Sequence, residues 1–196
     1  MHQHQTRAVH RRSRSGFSVI ELVVVVIIMG LLAAVALPKM RVERYQVDGA
    51  VRTVSMAMMV AQREAVARGH NVLVVFDTVH QTIRTVWDKN NNLLLDAGEK
   101  TRPFPMPDRI VMSRASGVPA LGTATAQIPI MLTVSGLPMI VVQRNGGTDR
   151  SLTLYLTSLK AQRGMVSDKD TRAMTIERAT ARPAWYIYAA SGWRRN

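Results

Sequence analysis

Five oxygen-bearing side chains crowd one stretch of the chain: Asp88, Asn90, Asn92, Asp96 and Glu99. Counted from Asp88 as position 1, they occupy positions 1, 3, 5, 9 and 12, the spacing of an EF-hand-like calcium loop. Such a loop needs glycine at its sixth position for the turn, and Leu93 stands there; no flanking pair of helices is evident either. Two readings stand side by side: a calcium ion held by oxygen ligands, or a polar hairpin loop built of Asx turns. His70 and His80 are isolated and flank a predicted strand, while His2, His4 and His10 lie near the start of the chain. No histidine pair has helical metal-binding spacing. Cysteine is absent, which excludes disulfides, cysteine-zinc sites, iron–sulfur clusters and thiol nucleophiles. No nucleophile elbow, phosphate-binding glycine loop or paired catalytic carboxylates stand out. The residues support no enzyme. At the other end, Trp193, Arg194 and Arg195 form a basic, aromatic-tipped tail. Such a tail could grip DNA phosphates and stack on bases, or could simply be a final strand with a frayed basic end.

The remaining chemically distinctive residue is Glu21. It stands at the head of an uncharged run from Leu22 to Leu37, which Pro38, Lys39, Met40 and Arg41 close. From Phe17 to Leu37 there are 21 residues. As a helix they span roughly 30 Å, about one hydrocarbon thickness. No small-x-small cleavage site follows the run, so the apolar segment is expected to be retained rather than removed as a signal peptide. Arg7, Arg11, Arg12 and Arg14 precede it, and the positive-inside rule keeps that basic end cytoplasmic. A carboxylate at the edge of a span costs a few kcal/mol unless paired or near the interface. Glu21 therefore either snorkels to the headgroups or meets a charge partner on another molecule.

Gly16, Phe17, Ser18, Val19, Ile20, Glu21 and Leu22 together resemble the cleavage and methylation site of type IV prepilins and type II secretion pseudopilins. The resemblance implies a leader of residues 1–16, removed by a prepilin peptidase after Gly16, and N-methylation of the new first residue, Phe17. Glu21 then becomes the fifth residue of the mature chain and pairs with the free amine of a neighbouring subunit. Pro38 matches a proline found after the membrane run in that family, where it bends the helix. The implied location is the inner membrane of a bacterium, single-pass, with the N-terminus cytoplasmic and the head periplasmic.

The elements beyond the span are legible as periods. Val47, Val51, Val54, Met58, Ala61 and Ala65 recur at alternating intervals of 4 and 3, one apolar helical face. Gly69 is a plausible stop. One long helix is expected from about Phe17 to about Arg68, bent at Pro38 and at Gly49. The cluster Met56, Met58 and Met59 reads as core filling. From Asn71 the period becomes two. Val72–Phe76 and Thr82–Trp87 read as a hairpin. Arg109–Ser113, Ile128–Val134, Met139–Gln143, Ser151–Leu156, Met174–Glu177 and Trp185–Tyr188 read as further strands. Asn145-Gly146 is the expected hairpin turn into Ser151–Leu156. Gly117–Ala126 is a small-residue loop, and Lys160–Arg172 a polar, mobile stretch. The expected fold class is α+β, a helix laid on an antiparallel sheet. Its segments are a leader (1–16), an assembly helix (17–38), an amphipathic helix (39–69) and a β-rich head (70–196).

With 196 residues, a net charge of +13 and 47% hydrophobic residues, the chain is sized for one modest domain plus an appendage. The basic surface favours polyanions: nucleic acid, anionic lipid or acidic partners. The head resembles the H-type minor pseudopilins of type II secretion, the GspH/FimT family. The resemblance is carried by Gln62-Arg63-Glu64-Ala65, the Val72–Phe76 strand, Asp88 to Asn92, Asp96 to Glu99, and Thr133-Val134-Ser135-Gly136. It implies a structural subunit in a hetero-oligomeric filament with other pseudopilins or pilins, without a cofactor. Some FimT-like minor pilins carry a Gly-Arg-x-Arg tail that binds DNA during uptake. The matching stretch here is Gly192-Trp193-Arg194-Arg195, with Trp193 in the first arginine position.

Overall fold

A computed structural model describes residues 18–39, 42–122, 132–134, 136–164, 170–189 and 192–196. The chain divides into two compact units, residues 1–40 and 41–196. The first contains helix α1, Val19–Lys39. The second opens with helix α2, Val42–Arg68. Where one continuous helix was expected, two helical segments are described, with residues 40 and 41 outside the description. α2 runs through Gly49 without interruption and ends as its sequence requires. Gly69 takes φ +67 and donates its N–H to Ala65 O at 3.0 Å, a left-handed cap that glycine enters without steric cost.

Among the described residues ten strands follow: β1 Asn71–Asp77, β2 Thr82–Asp88, β3 Thr101–Pro105, β4 Ile110–Val111, β5 Leu132–Val134, β6 Leu137–Val142, β7 Leu152–Ser158, β8 Thr171–Ile176, β9 Pro183–Ala189 and β10 Gly192–Arg195. They form two antiparallel sheets rather than one, in the orders β3-β2-β1-β6-β5 and β10-β9-β8-β7-β4. The predicted hairpin β1–β2 forms, with Val74 opposite Thr85. β3 went unread because Pro103 and Pro105 interrupt any strand pattern. It sits at a sheet edge, where a missing N–H costs no ladder bond. The predicted strand over Arg109–Ser113 shrinks to Ile110–Val111.

The Asn145-Gly146 turn does not make the expected hairpin into β7. Gly146 N–H closes the turn on Gln143 O at 2.8 Å, and a single bridge joins Val142 to Thr148. The chain then leaves the first sheet, and β7 pairs with β8 and β4 in the second. Leu152, Leu154 and Leu156 drive that crossover. They alternate onto the face that packs against α2, and all three are buried.

α2 holds the two sheets together. Its row Val47, Val51, Val54, Met58, Ala61 and Ala65 is buried, with no member above 2% exposed. It packs with Val72, Val74 and Phe76 of β1 and with Leu154, Leu156, Met174 and Ile176 of the second sheet. Leu73, Val75, Val86, Met139 and Val141 form a second cluster, with Leu93 and Leu137 against it. β1 is thus apolar at successive positions because both its faces are covered. Of the methionine cluster only Met58 fills the core. Met56 and Met59 are more than half exposed, because they point away from the buried face that carries Ala57 and Met58. Of the Lys160–Arg172 stretch, residues 160–164 and 170–172 are among those described. Helix α3 spans Leu159–Gln162 with Ser158 as its N-cap, and Thr171 and Arg172 are buried in β8.

Candidate functional site

The N-terminal helix is apolar on every side. From Ser18 to Ala34 each residue is exposed within the chain, including Val19, Ile20, Leu22, Ile27 and Leu32. A helix hydrophobic all round must be covered by something other than water. Glu21 lies in the first turn of α1, where a carboxylate complements the unpaired N–H groups of a helix start. The first turn closes through Leu22 N–H to Ser18 O at 3.1 Å. Gly16 and Phe17, the expected processing residues, lie outside the described residues, and of Pro38 only its place in α1 is described. Among the described residues no helix is long and apolar enough to cross a membrane. The described side chains of α1 end at Ala34, so the run to Leu37 is covered only in part.

The Asp88–Glu99 loop brings its five residues together, but onto one another. Asp88 is fully buried and accepts from the backbone N–H of Asn92 at 3.0 Å and of Leu93 at 2.8 Å. The Asn90 and Asn92 amides both donate to Asp96 Oδ2 at 2.7 Å. Glu99 takes the N–H of Lys89 at 3.0 Å on one oxygen and of Asp96 at 3.2 Å on the other. Leu93 has φ +63, so the turn that glycine would make easily is made by leucine, whose side chain packs onto the outer cluster. This is an Asx-turn loop in which the side-chain oxygens of Asp88, Asn90, Asn92 and Glu99 accept backbone N–H groups and Asp96 Oδ2 accepts the two amides. Among the described residues no group of three or more His, Cys, Asp or Glu is placed to hold a metal ion. His70 contacts Asn91 at 3.5 Å, and His80 Nδ1 donates to Asp77 Oδ2 at 3.0 Å.

The tail is a built strand. β10 pairs with β9, Trp193 opposite Tyr188. Trp193 donates its indole N–H to Pro119 O at 2.9 Å and lies 5.9 Å from the Tyr155 ring and 5.2 Å from Tyr188. Its ring packs on the second sheet's outer side and stays partly exposed, and Arg194, Arg195 and Asn196 beyond it are exposed. The pinned indole is what a reading of the tail as a free aromatic tip could not foresee, since Pro119 lies 74 positions away.

Three charge arrangements escaped the sequence reading because their partners are remote. Arg172, fully buried, donates to Asp48 Oδ1 at 2.9 Å and fastens β8 to α2. Arg68 and Lys100 stand over the Trp87 ring at 4.4 and 4.3 Å. Glu43, in the first turn of α2, is paired with Lys160. The hydrogen bond from Lys160 is the main reason the Glu43 carboxyl is held below its ordinary value. Burial works to raise the Asp77 carboxyl, but donation from the backbone and ring of His80 and from Val79 N–H outweighs it and holds that group low as well.

Comparison with known proteins adds a family match and likenesses to solved structures. No curated protein sequence matches the chain. A minor pseudopilin, EpsH of the Type 2 Secretion System of Vibrio cholerae, overlays at TM-score 0.40 and 12% identity, covering 77% of this chain and 96% of that one. A second crystal structure of the EpsH pseudopilin overlays at 0.42 and 12%, covering 68% and 89%. Residues 11–37 match the family model of the prokaryotic N-terminal methylation motif, and Gly16, Phe17 and Glu21 all fall inside that match, so this chain carries that motif.

Proposed function

We propose that this chain is a membrane-anchored assembly subunit, a minor pseudopilin of a type II secretion system, and not an enzyme. The observation that carries the reading is the methylation motif over residues 11–37. A prepilin peptidase would cut between Gly16 and Phe17 and methylate the Phe17 amine. α1 would then sit in the inner membrane with its N-terminus cytoplasmic and the head periplasmic. The apolar helices of neighbouring subunits supply the cover that α1 lacks within its own chain. In that bundle Glu21 of one subunit meets the Phe17 amine of the next. Mutual neutralisation lowers the cost of burying either charge alone. The work is therefore assembly.

The test is processing. With a prepilin peptidase present, Gly16→Ala and Gly16→Leu should leave the leader attached, seen as a slower band than the wild type on a denaturing gel. Mutants cut as efficiently as the wild type would remove the cut site and the reading built on it. A DNA-uptake pilin is the competing reading, and the exposed Arg194 and Arg195 are the tail residues that would serve it. Calcium at the Asp88–Glu99 loop forms no part of the proposal.

A further inference from the structure

Where α2 begins, side chains remote in sequence meet in a basic cleft. A pocket of about 320 Å³ is lined by Glu43, Arg109, Ser158, Leu159, Lys160 and Arg163. Its lining is tied together by backbone hydrogen bonds. Leu159 N–H donates to Arg109 O at 2.7 Å, Ser158 caps α3, and Arg163 N–H returns to Leu159 O at 3.2 Å. Arg109 is held at φ +63, and Arg109, Lys160 and Arg163 are all exposed. One lining carboxylate, Glu43, stands among these three cations and is taken up by Lys160; Asp170 lies close enough to act on both, and the three cations still outnumber the two carboxylates. Arg44, also exposed, adjoins it in the chain.

The position of the cleft in the chain says which anion it would meet. Glu43 follows Lys39, the last residue of α1, by four residues. Extended chain of that length reaches about 14 Å at most. If α1 is in the bilayer, as the assembly reading holds, the cleft lies within reach of the headgroup layer. Cations near such a surface are drawn to anionic lipid. A guanidinium fork beside an ammonium suits a phosphodiester oxygen pair. We propose that this cleft binds the phosphate of an anionic phospholipid headgroup and thereby seats the base of the head on the membrane surface. The inference rests on the assembly reading for its membrane, and on the cleft for its chemistry.

The experiment uses the full-length chain in a neutral detergent, offered equal amounts of phosphatidylglycerol and phosphatidylcholine, with retained lipid counted by native mass spectrometry. Wild type should retain phosphatidylglycerol roughly twenty-fivefold over phosphatidylcholine, since Arg109 and Arg163 contribute roughly fivefold each. Arg109→Asn together with Arg163→Gln should bring that preference to within about twofold of unity. Asparagine is chosen because it tolerates the left-handed backbone at position 109. Arg163→Gln alone, at an exposed site, guards against misfolding and should give an intermediate preference. Arg63→Gln, exposed on α2, should leave the preference intact. Equal retention of both lipids by wild type, or an unchanged preference in the double variant, overturns the proposal. Displacement of phosphatidylglycerol by millimolar inorganic phosphate also overturns it, by assigning the cleft to a soluble phosphate. Peptidase cleavage of the same preparations separates the two readings: cleaved protein without the lipid preference sinks the headgroup site alone, and uncleaved protein sinks the assembly reading.

Discussion

α1 and α2 are consecutive helices of comparable length, 21 and 27 residues, and they solve opposite problems. α1 has one charged residue before Lys39 and an apolar surface all round, and its own chain buries none of its described side chains. α2 interleaves charge with one apolar row and buries that row between two sheets. Apolar content alone therefore says nothing of whether a helix belongs to a core. The angular distribution of that content decides it. A row one side wide is satisfied by a sheet of the same chain, whereas an unbroken apolar cylinder demands lipid or other helices.

The sharpest way to break the comparison is to put a charge on the buried row. Val54→Asp, at a position with 0% exposure, leaves a carboxylate without a partner in the core. The cost should exceed about 4 kcal/mol, enough to unfold the head. Circular dichroism should show lost cooperative melting, and a native-like melt would refute α2 as the central element. Next comes Arg172→Met, which removes the buried tie from β8 to Asp48 on α2. A loss of about 3 kcal/mol is expected, at the lower end for a broken buried pair because Asp48 is partly exposed. Denaturant unfolding would show it, and an unchanged midpoint would mean the tie is dispensable.

Acid should loosen the head more gently. Asp77 and Glu43 are held below their ordinary values of 3.8 and 4.5. For an acid whose folded value is lowered, the stabilisation is complete above the ordinary value and is lost as pH falls through the lower, folded one. Unfolding midpoints should therefore be flat near neutrality and decline below about pH 4.5. Asp77→Asn should cost about 1–3 kcal/mol at pH 7 and flatten that decline. A decline as steep as in the wild type would assign the acid sensitivity elsewhere. The smallest effect on stability belongs to α1. Glu21→Ala should shift head melting by less than about 0.5 kcal/mol. It should still insert in the membrane yet fail to enter filaments, scored by shearing and immunoblot. Normal incorporation would reject the pairing of Glu21 with a neighbour's amine.

Much of this was legible locally. The Gly16-Phe17 junction, Glu21 and the apolar run are contiguous, so their match to a methylation motif needs no fold. The α2 row and the β1–β2 hairpin follow from periods of 3.6 and 2, which the backbone imposes on any chain. Gly69 ends α2 because only glycine enters its conformation cheaply. The α+β class follows from the change of period at Asn71.

Only the tertiary structure decided the division into two sheets. Val142 and Leu152 carry the same pattern, and nothing local says that the chain changes sheet between them. It does so because α2 has apolar surface for both sheets. The same holds for Trp193, whose partner Pro119 is unrelated in sequence, and for Arg172 and Asp48, 124 positions apart. It holds too for the cleft at Glu43, assembled from three separate segments. Side-chain period is a property of the backbone and can be read along the chain. Which remote charges and rings meet depends on how whole elements pack, and that is settled only when the core closes.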